Sequence, residues 1–186
     1  MDTARALIAQ RGLRALKVRD VAAAAGCAVG TVYNEFEDLD ELVLAVSRTT
    51  IGALEAALSA VTDDDPVLHL HGLAEGYLAF AAAHPNLLRA LFEHRMEGDR
   101  PFPEDLLGMV RRTFALMDAP LARLLPGMPR EQLAMLARTM FSAAHGIISL
   151  GLEDRLVAVP PQALGREVSG FVDAYLAGLG VAVRKR

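Results

Sequence analysis

In the stretch "AGCAVGTVYNEF", residues 25–36, a hydroxyl at Thr31, a phenol at Tyr33 and an amide at Asn34 fall within four positions. None of them is a nucleophile with an identifiable base partner. Small and hydrogen-bonding side chains on one short helix suit another chemistry, contact with the polar groove of a nucleic acid. Other reactive groups are sparse. His69 and His71 are two apart, so on a helix they point to nearly opposite sides and cannot share a metal ion. Glu93-His94 suits a helix-face pair better than an acid–base couple. Cys27 is the single cysteine and fits a small packed hydrophobe, with a redox-sensing thiol as the alternative. There is no glycine-rich phosphate loop, and no Ser or Cys with a base beside it. The expectation is a chain that binds rather than catalyses, with no metal and no cofactor.

The elements that must position those residues follow from apolar spacing. Ala4, Leu7 and Ile8 recur at helical intervals over Ala4 to Gln10, and Gly12 stops that helix. A second helix spans Val18 to Ala25, with Val18, Val21, Ala22 and Ala25 on one face. Gly26 can turn the chain sharply because positive φ costs it little. A third helix covers Val29 to Phe36, and Val29, Val32, Tyr33 and Phe36 form the expected buried stripe. Ala28, Gly30, Thr31, Asn34 and Glu35 remain for its outside. Gly30, Thr31 and Asn34 give that outside the small, polar character of a helix pressed into a major groove.

Asp38 is the expected N-cap of a long fourth helix, with Glu41 three residues on completing a capping-box pattern. This helix runs through "LVLAVSRTTIGALEAALSAV". Pro66 opens a fifth helix that His84-Pro85 ends, and Pro85 begins a sixth that reaches Met96. A seventh spans Glu104 to Leu125, with a break near Asp118–Pro120. The last two cover Arg130 to Leu156 and Pro161 to Gly180. The pattern predicts an all-α chain of about nine helices. It divides into an N-terminal three-helix domain, residues 1–45, and a larger helical domain, residues 46–186.

Bulk properties agree. The chain has 186 residues, 53% of them hydrophobic, no Trp and a formal net charge of −4. Its mean hydropathy is +0.28. Arg, Glu, His or Pro interrupts every apolar run, so no membrane span is expected. "MDTARAL" lacks the apolar region of a signal peptide. With one cysteine, a reducing, cytoplasmic location is the expectation. Residues 1–50 carry six basic and seven acidic side chains, so any contact with DNA rests on a local surface.

The larger domain has apolar faces richer than one thin core requires. Tyr77, Phe80, Leu88, Leu91, Phe92, Met96, Met109, Phe114, Met117, Phe141 and His145 could line a cavity for a bulky apolar ligand. Plain core packing suits each of them as well.

The N-terminal residues "ALIAQRGLRALKVRDVAAAAGCAVGTVYNEFEDLDEL" resemble the DNA-binding domain of the TetR family of bacterial transcription regulators. Gly12, Val21-Ala22, Ala25-Gly26, the run Gly30 to Tyr33, Phe36 and Leu42 carry the likeness. "MFSAAHGIISL", Met140 to Leu150, resembles a Trp-His-Gly signature of some C-terminal domains in that family, with Phe141 at the Trp position. The resemblance implies that the DNA-facing region runs from Lys17 to Phe36, with Lys17 and Arg19 as its basic groups. Thr31 and Tyr33 would meet phosphates, and Ala28, Val29, Gly30 and Asn34 the groove.

The chain departs from the family pattern at Lys17, Ala28, Glu35 and Leu39. Leu39 stands where a lysine usually meets phosphate, so a shallow salt dependence is expected. The resemblance further implies a small-molecule effector, apolar here, held by Tyr77, Phe80, Phe92, Met96, Phe114, Met117, Phe141 and His145. His145 would orient it. It implies a homodimer through the last two helices and a palindromic double-stranded operator. The function implied is a ligand-responsive repressor, and the competing expectation is a ligand-binding dimer with a vestigial DNA-binding domain.

Overall fold

The computed structural model describes residues 1–96, 98, 100–153 and 159–182. Among these are ten α-helices and no strand, so the all-α expectation holds. They are α1 Asp2–Arg11, α2 Val18–Ala25, α3 Val29–Glu35, α4 Leu39–Ser59 and α5 Pro66–Ala83, followed by α6 Pro85–Glu93, α7 Glu104–Ala115, α8 Asp118–Leu124, α9 Arg130–Gly151 and α10 Leu164–Gly178. The tenth helix arises because the expected seventh is two, interrupted at residues 116 and 117. Pro120 then lies in the first turn of α8, where its missing N–H does little harm.

Several ends differ from expectation. α6 stops at Glu93 rather than Met96, and His94 is extended. α9 stops at Gly151; the expected end at Leu156 lies outside the described residues. A single 3-10 turn, Pro161–Ala163, precedes α10. The caps that do form are chemically plain. Asp38 Oδ1 accepts the Glu41 amide at 2.8 Å, and Asp65 Oδ1 accepts the Val67 amide at 2.8 Å just after Pro66 opens α5.

By backbone packing the chain forms two compact units. The first comprises Met1–Ala53 with His84–Val110, the second Leu54–Ala83 with Arg111–Arg186. The first is therefore discontinuous in sequence and does not coincide with a cut at 45/46. Its core joins Ala4 and Ile8 of α1, Val21 and Ala22 of α2, Val32 of α3, Leu42, Val43 and Val46 of α4, and Leu87 and Ala90 of α6. Asn86 Nδ2 also donates to the Ala9 carbonyl at 2.9 Å, tying the start of α6 to α1. The helix-turn-helix thus rests on a helix 50 or so residues downstream that local patterning cannot assign to it.

In the second unit α10 packs on α5 and α9, and α8 packs on α5 and α9. Gly151, the last residue of α9, is buried against the start of α10. A methyl there would meet the Val159 carbonyl at 2.9 Å and the Leu164 side chain closer still. Its smallness serves contact within the chain.

By length and mean hydropathy, 1.3 in each case, α4 and α9 could cross a membrane. This corrects the expectation that no stretch is apolar enough: each helix holds an 18-residue window with no more than two charged side chains. Much of their apolar surface is used inside the fold, as Leu42, Val43, Leu44 and Val46 on α4 and Leu136, Ala137, Met140 and Ile148 on α9 are buried.

Candidate nucleic-acid interface and aromatic cluster

The turn between α2 and α3 is built by Gly26, at φ 67° and ψ 30°. The Cys27 amide donates to the Ala22 carbonyl at 3.0 Å and the Gly26 amide to the Ala23 carbonyl at 3.2 Å. This pair of bonds closes α2 as a Schellman motif, which needs a left-handed residue at the glycine position. Cys27 packs partly against the core of its unit, in keeping with the structural reading of that thiol.

Only Val32 of α3 is buried, at 8% exposure, and Phe36, just past its end, is half-buried. The expected stripe of Val29, Val32, Tyr33 and Phe36 is therefore corrected: Val29 is 37% exposed and Tyr33 51%. A seven-residue helix makes two turns and can press only a narrow strip onto the core. What remains is a continuous outward surface in which Ala28, Val29, Gly30, Thr31, Tyr33, Asn34 and Glu35 are all exposed. Lys17 and Arg19, at the start of α2, are exposed too. All eight residues expected at a nucleic-acid interface are thus accessible. The surface offers a hydroxyl, a phenol, an amide and methyl groups, the types that bond phosphates and base edges.

The acidic stretch that follows is not left bare. Asp38 Oδ2 lies 2.8 Å from Nη1 of Arg100, and Arg100 Nη2 also bonds Asp40. The Glu41 amide, together with Arg100, holds the Asp38 carboxyl below its ordinary pKa. Arg48 pairs with Asp105 at 2.6 Å, which keeps that carboxyl low as well. Arg48, counted as one of six bases of the N-terminal segment, is thereby committed to an acid within its own unit.

In the second unit four of the expected effector residues meet. The Tyr77 hydroxyl and His145 Nδ1 are 2.7 Å apart. Phe141 stacks on His145, the ring centroids 5.7 Å apart and the planes 14° from parallel, and it meets Tyr77 and Phe114 edge to face. Burial pushes the Tyr77 phenol well above its ordinary pKa and the His145 imidazole below its own. Both shifts favour neutral forms, so the pair meets as a hydroxyl donor and an imidazole acceptor. Phe80 is buried on α5 and Met117 half-buried. Phe92 and Met96 belong to the first unit, where Met96 packs against the cluster of Leu44, Ile51 and Leu106 and Phe92 is exposed.

One assembly escaped sequence reasoning. His71 is buried, its Nε2 2.7 Å from Asp173 Oδ1 and its Nδ1 3.0 Å from Ser169 Oγ. Asp173 and Ser169 lie one turn apart on α10, so the imidazole bridges α5 to α10 with both nitrogens occupied. The imidazole itself is buried, while Ser169 and Asp173 are half-buried on α10. Among the described residues no group of three or more His, Cys, Asp or Glu could hold a metal ion.

A groove of about 390 Å³ lies elsewhere in the second unit, lined by Val61, Asp63, His69, Leu116, Pro120 and Arg123 among others. None of the expected effector residues borders it.

Comparison with known proteins decides the lineage. Residues 1–46 match the pattern described as bacterial regulatory proteins, tetR family, and residues 70–175 match the tetracyclin repressor-like C-terminal domain. The chain belongs to the TetR family. Over 75 residues this TetR-family regulator is 36% identical to the HTH-type transcriptional repressor KstR2 of Mycobacterium tuberculosis, covering 39% of this chain. The match spans 38% of the length of that curated relative. In fold it is similar to a transcriptional regulator from Rhodococcus sp. RHA1, with a TM-score of 0.74 at 22% identity over 99% of this chain and 96% of the other. It is also similar to the fatty acid degradation regulator FadR of Bacillus halodurans, with a TM-score of 0.61 at 18% identity over 97% and 94%.

Proposed function

We propose that this TetR-family regulator is a ligand-responsive repressor that binds a palindromic operator as a homodimer. The observation that carries the reading is the α3 surface, where hydrogen-bonding and small side chains are exposed while Val32 alone anchors the helix. Residues 1–45 form the DNA-binding domain in this reading, and residues 46–186 hold the effector and the dimer contact. Thr31 and Tyr33 bond phosphates, with Lys17 and Arg19 supplying charge, and Ala28, Val29, Gly30 and Asn34 face the groove. The sense of control, repression, is taken from the relative KstR2.

The dimer contact runs through α9 and α10. Gly146 on α9 and Gly170 and Gly178 on α10 have open space where a side chain would stand, and α10 also carries Phe171 and Tyr175, their ring centroids 5.6 Å apart. Small residues and partly exposed rings on these helices favour close approach by a second copy. A twofold axis would then set two α3 helices about 34–36 Å apart, on successive major grooves. An apolar effector at Tyr77, Phe114, Phe141 and His145 would favour another spacing, and a coupling of about 1–3 kcal/mol would release the operator.

Selection of bound genomic fragments by the purified chain, at two salt concentrations, tests the reading. A palindromic site bound less tightly as salt rises is the expected result. A folded dimer that enriches no site at low salt would leave a ligand-binding protein with a helix-turn-helix in shape only.

A further inference from the structure

The sequence places Glu35, Glu37, Asp38, Asp40 and Glu41 directly after the groove-facing residues, where they should repel phosphate. Three residues, Phe36 to Asp38, separate α3 from α4. Leu39 is 38% exposed and contributes no charge. The cation at this corner comes from far along the chain. Arg100 lies between α6 and α7 and reaches both Asp38 and Asp40.

The arrangement is built rather than incidental. Asp40 is buried, and a carboxylate there is costly without an opposite charge beside it. His94 Nε2 is buried without a hydrogen-bond partner and lies 3.4 Å from Asp40 Oδ1. Arg100 precedes Pro101, and Pro103 follows two residues on. A residue before proline is held to extended conformations, which stiffens the loop that presents the guanidinium. One planar fork serving two carboxylates from successive positions is the geometry that arginine, not lysine, supplies.

We infer that Arg100 is a positioning residue for operator binding, which neutralises the acidic start of α4 and fixes the α3–α4 corner so that α3 can approach phosphate. It acts through Asp38 and Asp40 and does not itself contact DNA. This rests on the operator-binding reading above.

The test measures operator affinity of the full-length chain against salt concentration, for the parent, Arg100→Ala, Asp38→Asn and the double variant, with thermal melting recorded for each. Asn keeps an acceptor oxygen for the Glu41 amide, so the cap survives while the charge goes. Arg100→Ala should bind about three- to tenfold more weakly at low salt, with the gap closing as salt rises. Adding Asp38→Asn should restore most of the loss, and Asp38→Asn alone should bind more tightly than the parent at low salt. A loss that Asp38→Asn does not repair would make Arg100 a phosphate ligand or a purely structural contact, and would overturn the inference. So would equal affinity of all four proteins. Should Arg100→Ala fail to fold, Asp38→Asn alone still decides: no gain at low salt refutes the neutralising role. A parent that binds no fragment overturns the operator reading itself, a separate outcome from a parent that binds and variants that do not differ.

Discussion

The α3 surface and the Tyr77–His145 cluster use hydrogen-bonding side chains in opposite ways. On α3 the hydroxyl, phenol and amide of Thr31, Tyr33 and Asn34 stand exposed to solvent. In the cluster, Tyr77 is buried and its hydroxyl is already engaged with His145 at 2.7 Å. An exposed group loses nothing of the fold when it is removed but can lose a partner outside it. A buried, paired group does the reverse. Substitutions in the two regions should therefore separate binding from stability.

The largest effect is expected on α3. Thr31→Ala with Tyr33→Phe removes two hydroxyls from an exposed helix, and hydrogen bonds to a charged phosphate contribute about 1.5–3 kcal/mol each. Operator affinity, measured by fluorescence anisotropy, should fall by about a hundredfold or more, on the order of 3 kcal/mol. The melting temperature should stay within a degree or two of the parent, a change of roughly 0.5 kcal/mol or less. A large drop in melting temperature would mean that these residues pack rather than bind.

In the cluster Tyr77→Phe should do the opposite. It removes the phenol's hydrogen bond to a half-buried imidazole, at a cost of about 1–2 kcal/mol. Denaturant unfolding should report that loss, while operator affinity without effector stays near the parent's. If affinity falls with stability intact, the contrast between the two regions fails.

The same contrast explains what could be read from the chain. Helix spacing, the Gly26 turn, the Asp38 cap and the Pro66 start are local, and each is legible within a few residues. Where a short helix had to divide its apolar residues between core and surface, periodicity alone misassigned Val29 and Tyr33. Spacing counts apolar residues; it does not know how narrow a strip the core can accept. The remaining features join distant segments. Tyr77 meets His145 across 68 residues, and His71 meets Asp173 across 102. The acids at 38 and 40 find their counter-charge at 100. A charge count over the first 50 residues found an excess of acid because the balancing guanidinium lies outside that window.

A smaller effect tests whether the turn is as local as it looks. Gly26 sits in the left-handed region, and beyond its own chain neighbours nothing lies within 4 Å of where a Cβ would stand. Gly26→Ala should therefore cost only the backbone term, about 1–2 kcal/mol, and Gly26→Asn less. A loss well beyond that range would show that the turn also needs room which the isolated chain does not reveal.

The smallest expected effect is the dependence of stability on pH through His145. Burial lowers its pKa in the folded chain, so the unfolded chain takes up a proton more readily. Its contribution is fully present above the ordinary imidazole value of about 6.5. It declines as pH falls from there toward the lower folded value. Unfolding free energies at several pH values between about 7.5 and 5 should show this fall in the parent and a flatter profile in His145→Gln, once the background from other groups is subtracted. A profile unchanged by that substitution would mean that water reaches the imidazole freely. The aromatic cluster would then be an open surface, and the sharp difference between it and the α3 face would disappear.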